Sequence, residues 1–141
     1  MSFLLDTNVI SELVAPKPNL GVIDWLDGLD QESVFLSVIT IGELKRGIEK
    51  LNDLHRKRTL SDWLTGDLLI RFGDQVLPID VSVILTWGTL VADMEAIGKP
   101  IPAIDSLLAA TAVQFGLTLV TRNVRHFEGA GISLFNPWEL D

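Results

Sequence analysis

Three acids stand where an α/β chain can do chemistry: Asp6, Glu43 and Asp105. Asp6 ends the apolar run Phe3-Leu4-Leu5 and is followed at once by Thr7 and Asn8. Glu43 closes Thr40-Ile41-Gly42-Glu43, just after the apolar Val34-Phe35-Leu36. Asp105 closes Ile101-Pro102-Ala103-Ile104-Asp105, at the head of a helical apolar pattern. If the strand ends neighbour one another, the three carboxylates converge. Oxygen ligands with no cysteine and no nearby histidine suit Mg2+ or Mn2+ rather than Zn2+. Such an ion can activate a water for in-line attack on phosphorus, and a second ion can steady the leaving oxygen. Each acid also has a structural explanation. Asp6 can serve as a helix N-cap, Glu43 as the capping-box partner of Thr40, and Asp105 as a complement to a helix dipole. Spacing alone leaves both explanations open.

The elements that must position these acids can be read from periodicity. Phe3 to Leu5 reads as a buried strand of parallel type, and Val9, Ile10, Leu13 and Val14 then recur at helical spacing. Asp6 therefore marks a strand end on the ligand side of an open α/β sheet. Asn19 is placed to cap a second helix carrying Val22, Ile23, Leu26 and Leu29. Val34-Phe35-Leu36 predicts a second strand. Thr40 to Glu43 predicts the start of a helix running through Leu51, and another helical stretch is expected from about Leu60 to Phe72. Val76 to Ile79 predicts a short strand, with Pro78 marking a sheet edge or the strand's end. Asp80 caps an expected helix from Val81 to about Ile97. Pro102 opens the next, which ends at Gly116. Leu117 to Val120 and Ile132 to Phe135 predict the last two strands. Strands alternating with helices imply a parallel sheet between helical layers, in one α/β domain over residues 1–141.

A chain of 141 residues is long enough to bury a core without staples. The absence of cysteine excludes disulfides and thiolate metal sites. No signal-peptide pattern and no apolar run of about 18 residues is present, so a cytoplasmic protein with no membrane span is expected. Eleven basic against nineteen acidic residues give a net charge of −8. That balance counts against nucleic acid, because phosphate binding is driven by Lys and Arg. Two facts weaken the objection. Six of the eleven cations lie between Lys45 and Arg58, and acids gathered around bound cations do not present their full charge.

Several segments, in order, resemble the PIN domains. They are Leu4-Leu5-Asp6-Thr7-Asn8-Val9, Thr40-Ile41-Gly42-Glu43-Leu44 with Gly47, Pro102-Ala103-Ile104-Asp105 leading into Ala109-Ala110-Thr111-Ala112, Val120-Thr121-Arg122-Asn123, and Asn136-Pro137-Trp138. The match is to the VapC-type toxin branch and spans essentially the whole chain. The resemblance implies a central parallel sheet flanked by helices and Mg2+- or Mn2+-dependent RNA hydrolysis leaving a 5′-phosphate and a 3′-hydroxyl. It implies a homodimer, inhibition by a small cognate antitoxin, and a larger assembly on DNA through that antitoxin. Asp6, Glu43 and Asp105 fall on the family's metal-binding acids. Many relatives carry a fourth acid after the fourth strand. Here Asn123 takes that place, and His126 stands where relatives often have another acid. The departure puts a second metal in doubt. Thr7, Thr121 and Asn123 are candidates for supporting roles.

The remaining candidates weigh toward structure. Glu12 reads as a surface or salt-bridging acid and Asp80 as a cap. Trp25, Trp63, Trp87 and Trp138 read as core or interface residues rather than base-stacking platforms. His55 and His126 show no metal-ligand spacing. The cations from Lys45 to Arg58 read first as a solvated helix surface mixed with Glu49 and Asp53, and second as a guide for RNA. Two rival functions stand beside the nuclease. One is a catalytically weak PIN module acting through a DNA-binding antitoxin. The other is a phosphoryl-transfer or receiver-like domain, against which count the missing Asp-x-Asp after the first strand and the missing strand-end Lys.

Overall fold

The structure, a computed structural model, describes residues 1–140. Five short strands pair in parallel: β1 (Phe3–Leu5), β2 (Val34–Ser37), β3 (Val76–Leu77), β4 (Thr118–Val120) and β5 (Leu134–Phe135). Their order is β3-β2-β1-β4-β5. Leu4 lies opposite both Phe35 and Leu119, and Leu5 opposite Val120. The chain thus winds outward from β1 in one direction and then returns to continue on its other side. In such a sheet the crevice between β1 and β4, at the carboxyl ends, is the place for a ligand.

Strand alternation sends neighbouring residues to opposite faces. Leu5, Val34, Leu36 and Val120 face one core, and Leu4 and Leu119 face the other. The first core is covered by α1 (Thr7–Glu12), α2 (Leu20–Asp27), α3 (Val38–Glu49), α4 (Leu54–Trp63) and α5 (Leu69–Phe72). These bring in Val9, Ile10, Val22, Leu26, Leu44, Ile48 and Phe72. The second is covered by α7 (Ala103–Phe115), with α6 (Val81–Ala96) packed outside it. Ala109 and Ala112 of α7 lie in that core. Small side chains there let the helix sit close to the sheet. Gly116, at φ +65°, ends α7 in the left-handed conformation, and Leu117 N–H donates to the Ala112 carbonyl at 2.8 Å. The chain turns directly from there into β4.

The α/β architecture with a parallel sheet is as the sequence implies, and β3 lies at the sheet edge as Pro78 suggested. Three local expectations are corrected. The helix bearing Glu43 does not begin at Thr40. It begins at Val38, capped by Ser37, whose hydroxyl accepts from Ile39 N–H at 3.0 Å. β2 runs into α3 without a loop, so Ser37, the last strand residue, takes the cap and Thr40 is buried one turn further on. Glu43 consequently lies in the second turn, not at the capping-box position. The following helix starts at Leu54 rather than near Leu60, because the Asp53 carboxylate caps His55 and Arg56 N–H groups. It continues through a π turn at Leu64–Leu68, which turns Leu64 and Leu68 into the core. Finally, the last strand is only Leu134–Phe135.

Phe127 tests the second core. It is 1% exposed, packs with Leu4, Leu119 and Ala109, and holds down the loop after β4. Phe127→Ala should destabilise the protein by about 3–5 kcal/mol, lowering Tm by roughly 10 °C for a chain of this size. Thermal denaturation followed by circular dichroism measures this. A shift within a degree of the parent would show that the loop is not anchored this way.

Candidate active site

The crevice between β1 and β4 holds one buried carboxylate. Asp6 follows β1 directly, and its N–H donates to the Val120 carbonyl of β4 at 2.9 Å. Its side chain caps α1 by accepting from Thr7 N–H at 2.6 Å. Thr121, the residue after β4, donates its hydroxyl to the other Asp6 oxygen at 2.7 Å. Asp6 is 4% exposed. Of the two explanations left open by the sequence, the structure shows the capping one: Asp6 is the N-cap of α1.

Glu43 and Asp105 stand on either side. Glu43 projects from α3, which follows β2, and accepts a short hydrogen bond from the Thr7 hydroxyl. Asp105 lies in the first turn of α7, where the helix dipole favours a carboxylate. The Nδ1 of His126 lies 2.7 Å from an Asp105 oxygen, the side chains being 46% and 19% exposed. Burial raises the pKa of Asp6 above the ordinary 3.8, the Thr121 and Thr7 hydrogen bonds oppose that, and the charges of Asp105 and Glu43 add to the rise. Both acids are thus near enough to act on Asp6. Among the described residues, no three His, Cys, Asp or Glu side chains stand close enough together to hold one ion. The neighbours just named engage Glu43 and Asp105 individually.

The supporting residues have definite places. Thr7 joins Asp6 to Glu43 through its N–H and its hydroxyl. Thr121 is fully buried, and its hydroxyl also accepts from Asn123 N–H at 3.0 Å. Asn8 accepts from Arg122 N–H at 3.2 Å, tying the start of α1 to the turn after β4. Asn123 has an exposed side chain with no protein partner among the described residues. His126, read from the sequence as bland, is the residue that sequence reasoning missed. The one signal for it was its position in the turn after β4, where relatives often carry an acid.

The other candidates behave as structural residues. Glu12 accepts from Asn19 N–H at 2.8 Å and Asp80 caps α6. Trp25 stacks between Phe3 and Phe135, and Trp87 donates to Ser106 at 2.8 Å. Lys45 and Lys57 both pair with Glu49, whose pKa is lowered chiefly by the Lys45 hydrogen bond. Arg56 donates to the Val14 carbonyl at 2.8 Å. Beside Glu43 lies an apolar groove of about 330 Å³ between α1, α3 and α4. Val14, Leu44, Ile48, Leu60 and Trp63 wall it, and Thr7 and Glu43 form its polar end. α2 takes no part in the groove. No helix among the described residues is long and apolar enough to cross a membrane.

A family model described as PIN domain matches residues 3–131. Toxin FitB of Neisseria gonorrhoeae is 42% identical over 135 residues, covering 96% of this chain and 97% of that protein. VapC ribonuclease Y4jK of Sinorhizobium fredii is 38% identical over 136 residues, with 96% and 97% covered. The solved structure of FitAcB from Neisseria gonorrhoeae matches with a TM-score of 0.94 at 41% identity, covering 98% of this chain and 99% of that chain.

The buried acid makes the metal-free stability depend on pH. A carboxyl whose folded pKa is raised binds its proton more tightly folded than unfolded. Its favourable contribution is complete below 3.8 and is lost as pH rises through the raised folded value. Ionised Asp6 is therefore a net cost at neutral pH. Asp6→Asn keeps an oxygen for Thr7 N–H and removes the charge. In a chelating buffer it should melt a few degrees above the parent at pH 7, and the gap should close as pH falls toward 3.8. An equal or lower Tm at pH 7 would contradict the burial cost.

Proposed function

The chain belongs to the PIN-domain family, and on that premise we propose that it is a metal-dependent endoribonuclease, the toxin of a toxin–antitoxin pair acting in the cytoplasm. One observation carries the reading. A buried carboxylate sits at the switch point of a parallel sheet, with two further carboxylates close enough to raise its pKa. The names of the relatives, a toxin and a ribonuclease, support the class of reaction.

The donor set is all oxygen, and its mutual repulsion is relieved by a cation. That chemistry fits Mg2+ or Mn2+ on Asp6, Glu43 and Asp105. When bound, such an ion supplies charge for the phosphodiester oxygens and activates water as the nucleophile. The chain's own residues do the orienting. Thr7 N–H and the Thr121 hydroxyl fix the two oxygens of Asp6. The Thr7 hydroxyl holds Glu43, and His126 holds Asp105. Asn123 offers an amide to water or to substrate, but no charge and no basic group. The P–O bond to the 3′-oxygen breaks as water adds, giving a 5′-phosphate and a 3′-hydroxyl, with no covalent bond to the protein.

The cognate antitoxin would block this site. Its inhibitory segment would lie in the apolar groove between α1, α3 and α4, and would set a guanidinium among the acids. Arginine is suited to that task because its planar fork matches a carboxylate and its charge does not titrate away. This acidic chain would reach DNA only through that partner, as a homodimer within the assembly.

A second reading has an observation behind it. No three acids stand close enough to hold one ion among the described residues, and Asn123 replaces the fourth acid. These favour a catalytically weak module that acts through its partner. Mg2+-dependent cleavage by the purified chain discriminates the two.

Asp6→Ala, Glu43→Ala and Asp105→Ala should each reduce RNA cleavage by roughly two orders of magnitude or more, the loss of several kcal/mol of metal-derived stabilisation. Parental activity should vanish in a chelator and return with Mg2+ or Mn2+. Parental rates in any of the three variants, measured on labelled RNA with metal supplied, would sink the assignment.

Asn123→Asp adds a charge and a second acceptor oxygen to the turn after β4. Calorimetry should show tighter Mn2+ binding in this variant, with a stoichiometry nearer two per chain than in the parent. Two ions already bound by the parent would show that the fourth acid is dispensable.

A further inference from the structure

Resting on the ribonuclease reading, we propose that Lys99 and Arg125 form a backbone-phosphate subsite for the RNA, in the cleft between the α6–α7 loop and the turn after β4. The starting point is where the cations lie. From Gly73 to the end, the chain has three Lys or Arg residues, Lys99, Arg122 and Arg125, against eight Asp or Glu. All three lie in the two loops that flank Asp105.

Two of them converge. Lys99 and Arg125 line one cleft of about 330 Å³ with Pro100, Pro102, His126 and Glu128. Lys99 is held there by its backbone, whose N–H donates to the Met94 carbonyl at 2.9 Å. Its stem crosses Gly129, where a Cβ would meet its Cδ at 3.6 Å. Pro100 and Pro102 stiffen the wall. Among the lining residues two cations, Lys99 and Arg125, face one carboxylate, Glu128. The cleft is joined to the acid site by a single side chain, since His126 both lines the cleft and contacts Asp105 at 2.7 Å.

These cations are also uncommitted. Among the described residues, neither Lys99 nor Arg125 is in an ion pair, and neither side chain makes a hydrogen bond within the protein. Several of the other cations are engaged. Lys45 and Lys57 are on Glu49, Arg56 is on Val14, and Arg122 lies over the Trp138 ring at 5.2 Å. Arg46, Lys50 and Arg58 are unpaired as well, but none lines the groove that contains Glu43. A phosphate beside the scissile one would be drawn toward the Asp105 side, by two cations that form no ion pair among the described residues. The ligand class is a single-stranded RNA backbone, read by charge rather than by base.

The test is anisotropy of a fluorescein-labelled single-stranded RNA with the full chain in EDTA, over a range of NaCl. Lys99→Ala/Arg125→Ala should bind at least about tenfold more weakly, and the slope of log K against log salt should be shallower by about 0.7 for each phosphate no longer neutralised. Both residues are exposed, so circular dichroism should be parental; Lys99→Gln/Arg125→Gln repeats the test with longer neutral side chains. Lys50→Ala/Arg58→Ala removes the same charge from α3 and α4, and should leave affinity within about twofold and the slope close to parental. Parental affinity and slope in both cleft variants would overturn the subsite, as would equal losses in the α3–α4 variant. Cleavage of the same RNA in Mg2+ separates the two levels. A parent that cleaves RNA while the cleft variants bind normally overturns the subsite alone. A parent that neither binds nor cleaves RNA overturns the ribonuclease reading, and the subsite with it.

Discussion

Burial of one carboxylate is the constraint from which the rest of the site follows. Taking an ion of this kind out of water costs several kcal/mol unless hydrogen bonds replace its hydration. Asp6 has those bonds from two different strands' ends: the N–H of Thr7 after β1 and the hydroxyl of Thr121 after β4. The second exists only if β1 and β4 are neighbours, which is the arrangement that creates the switch point of the sheet. Topology therefore supplies the hydrogen bond that offsets part of the burial cost of Asp6. Without β4 beside β1, the carboxylate would lose the Thr121 hydroxyl.

The same logic spreads outward. Each of the three acids is held by a different kind of partner: Asp6 by a backbone amide and a buried hydroxyl, Glu43 by a half-buried hydroxyl, Asp105 by an imidazole. Thr7 serves two of them, so a shift at the start of α1 moves Asp6 and Glu43 together. Asn8 and Arg122 tie that same turn to the loop bearing Asn123 and His126. The acids are fixed less by their own helices than by a ring of short side chains joining the segments after β1 and β4. Side chains fixed in advance spend no binding energy on their own ordering.

The sequence carried the sheet and its acids because both are written in short-range signals. Leu4 and Leu5 alternate between two cores, and Asp6 ends the run abruptly. Asn19, Asp80 and Gly116 punctuate helices by local chemistry, and each does so in the structure. The failures share a cause. The pattern Thr40 to Glu43 satisfies a capping rule, but Ser37 wins because β2 leaves no loop in which Thr40 could be a first residue. His126 had no local pattern at all. Its meaning is a contact with Asp105, 21 residues away, across the gap between α7 and the turn after β4. The apolar groove is built jointly by α1, α3 and α4, which no single segment announces, and α2 stays out of it. That helix packs instead against the C-terminal turn, with Trp25 on Phe3 and Phe135. Pairwise packing of that kind is not encoded in the spacing of either segment.

The placement of the two clefts bears on how inhibition and substrate binding can coexist in one small protein. Asp6 follows the central strand, Glu43 lies on the β2 side, and Asp105 lies at the start of the helix leading into β4. The apolar groove opens at Glu43 and the cationic cleft at Asp105. A peptide in the first would gain affinity by burying apolar surface, whereas a polyphosphate in the second would gain it by charge. On this arrangement the two ligands approach along different walls and meet only over the acids. An inhibitor seated in the groove then need not cover the RNA path. It need only extend a cation to the shared centre, where its charge replaces the one that a metal would bring. The strength of inhibition would be set by the groove and its specificity for the active site by that single charged contact, so the two can vary independently among antitoxins.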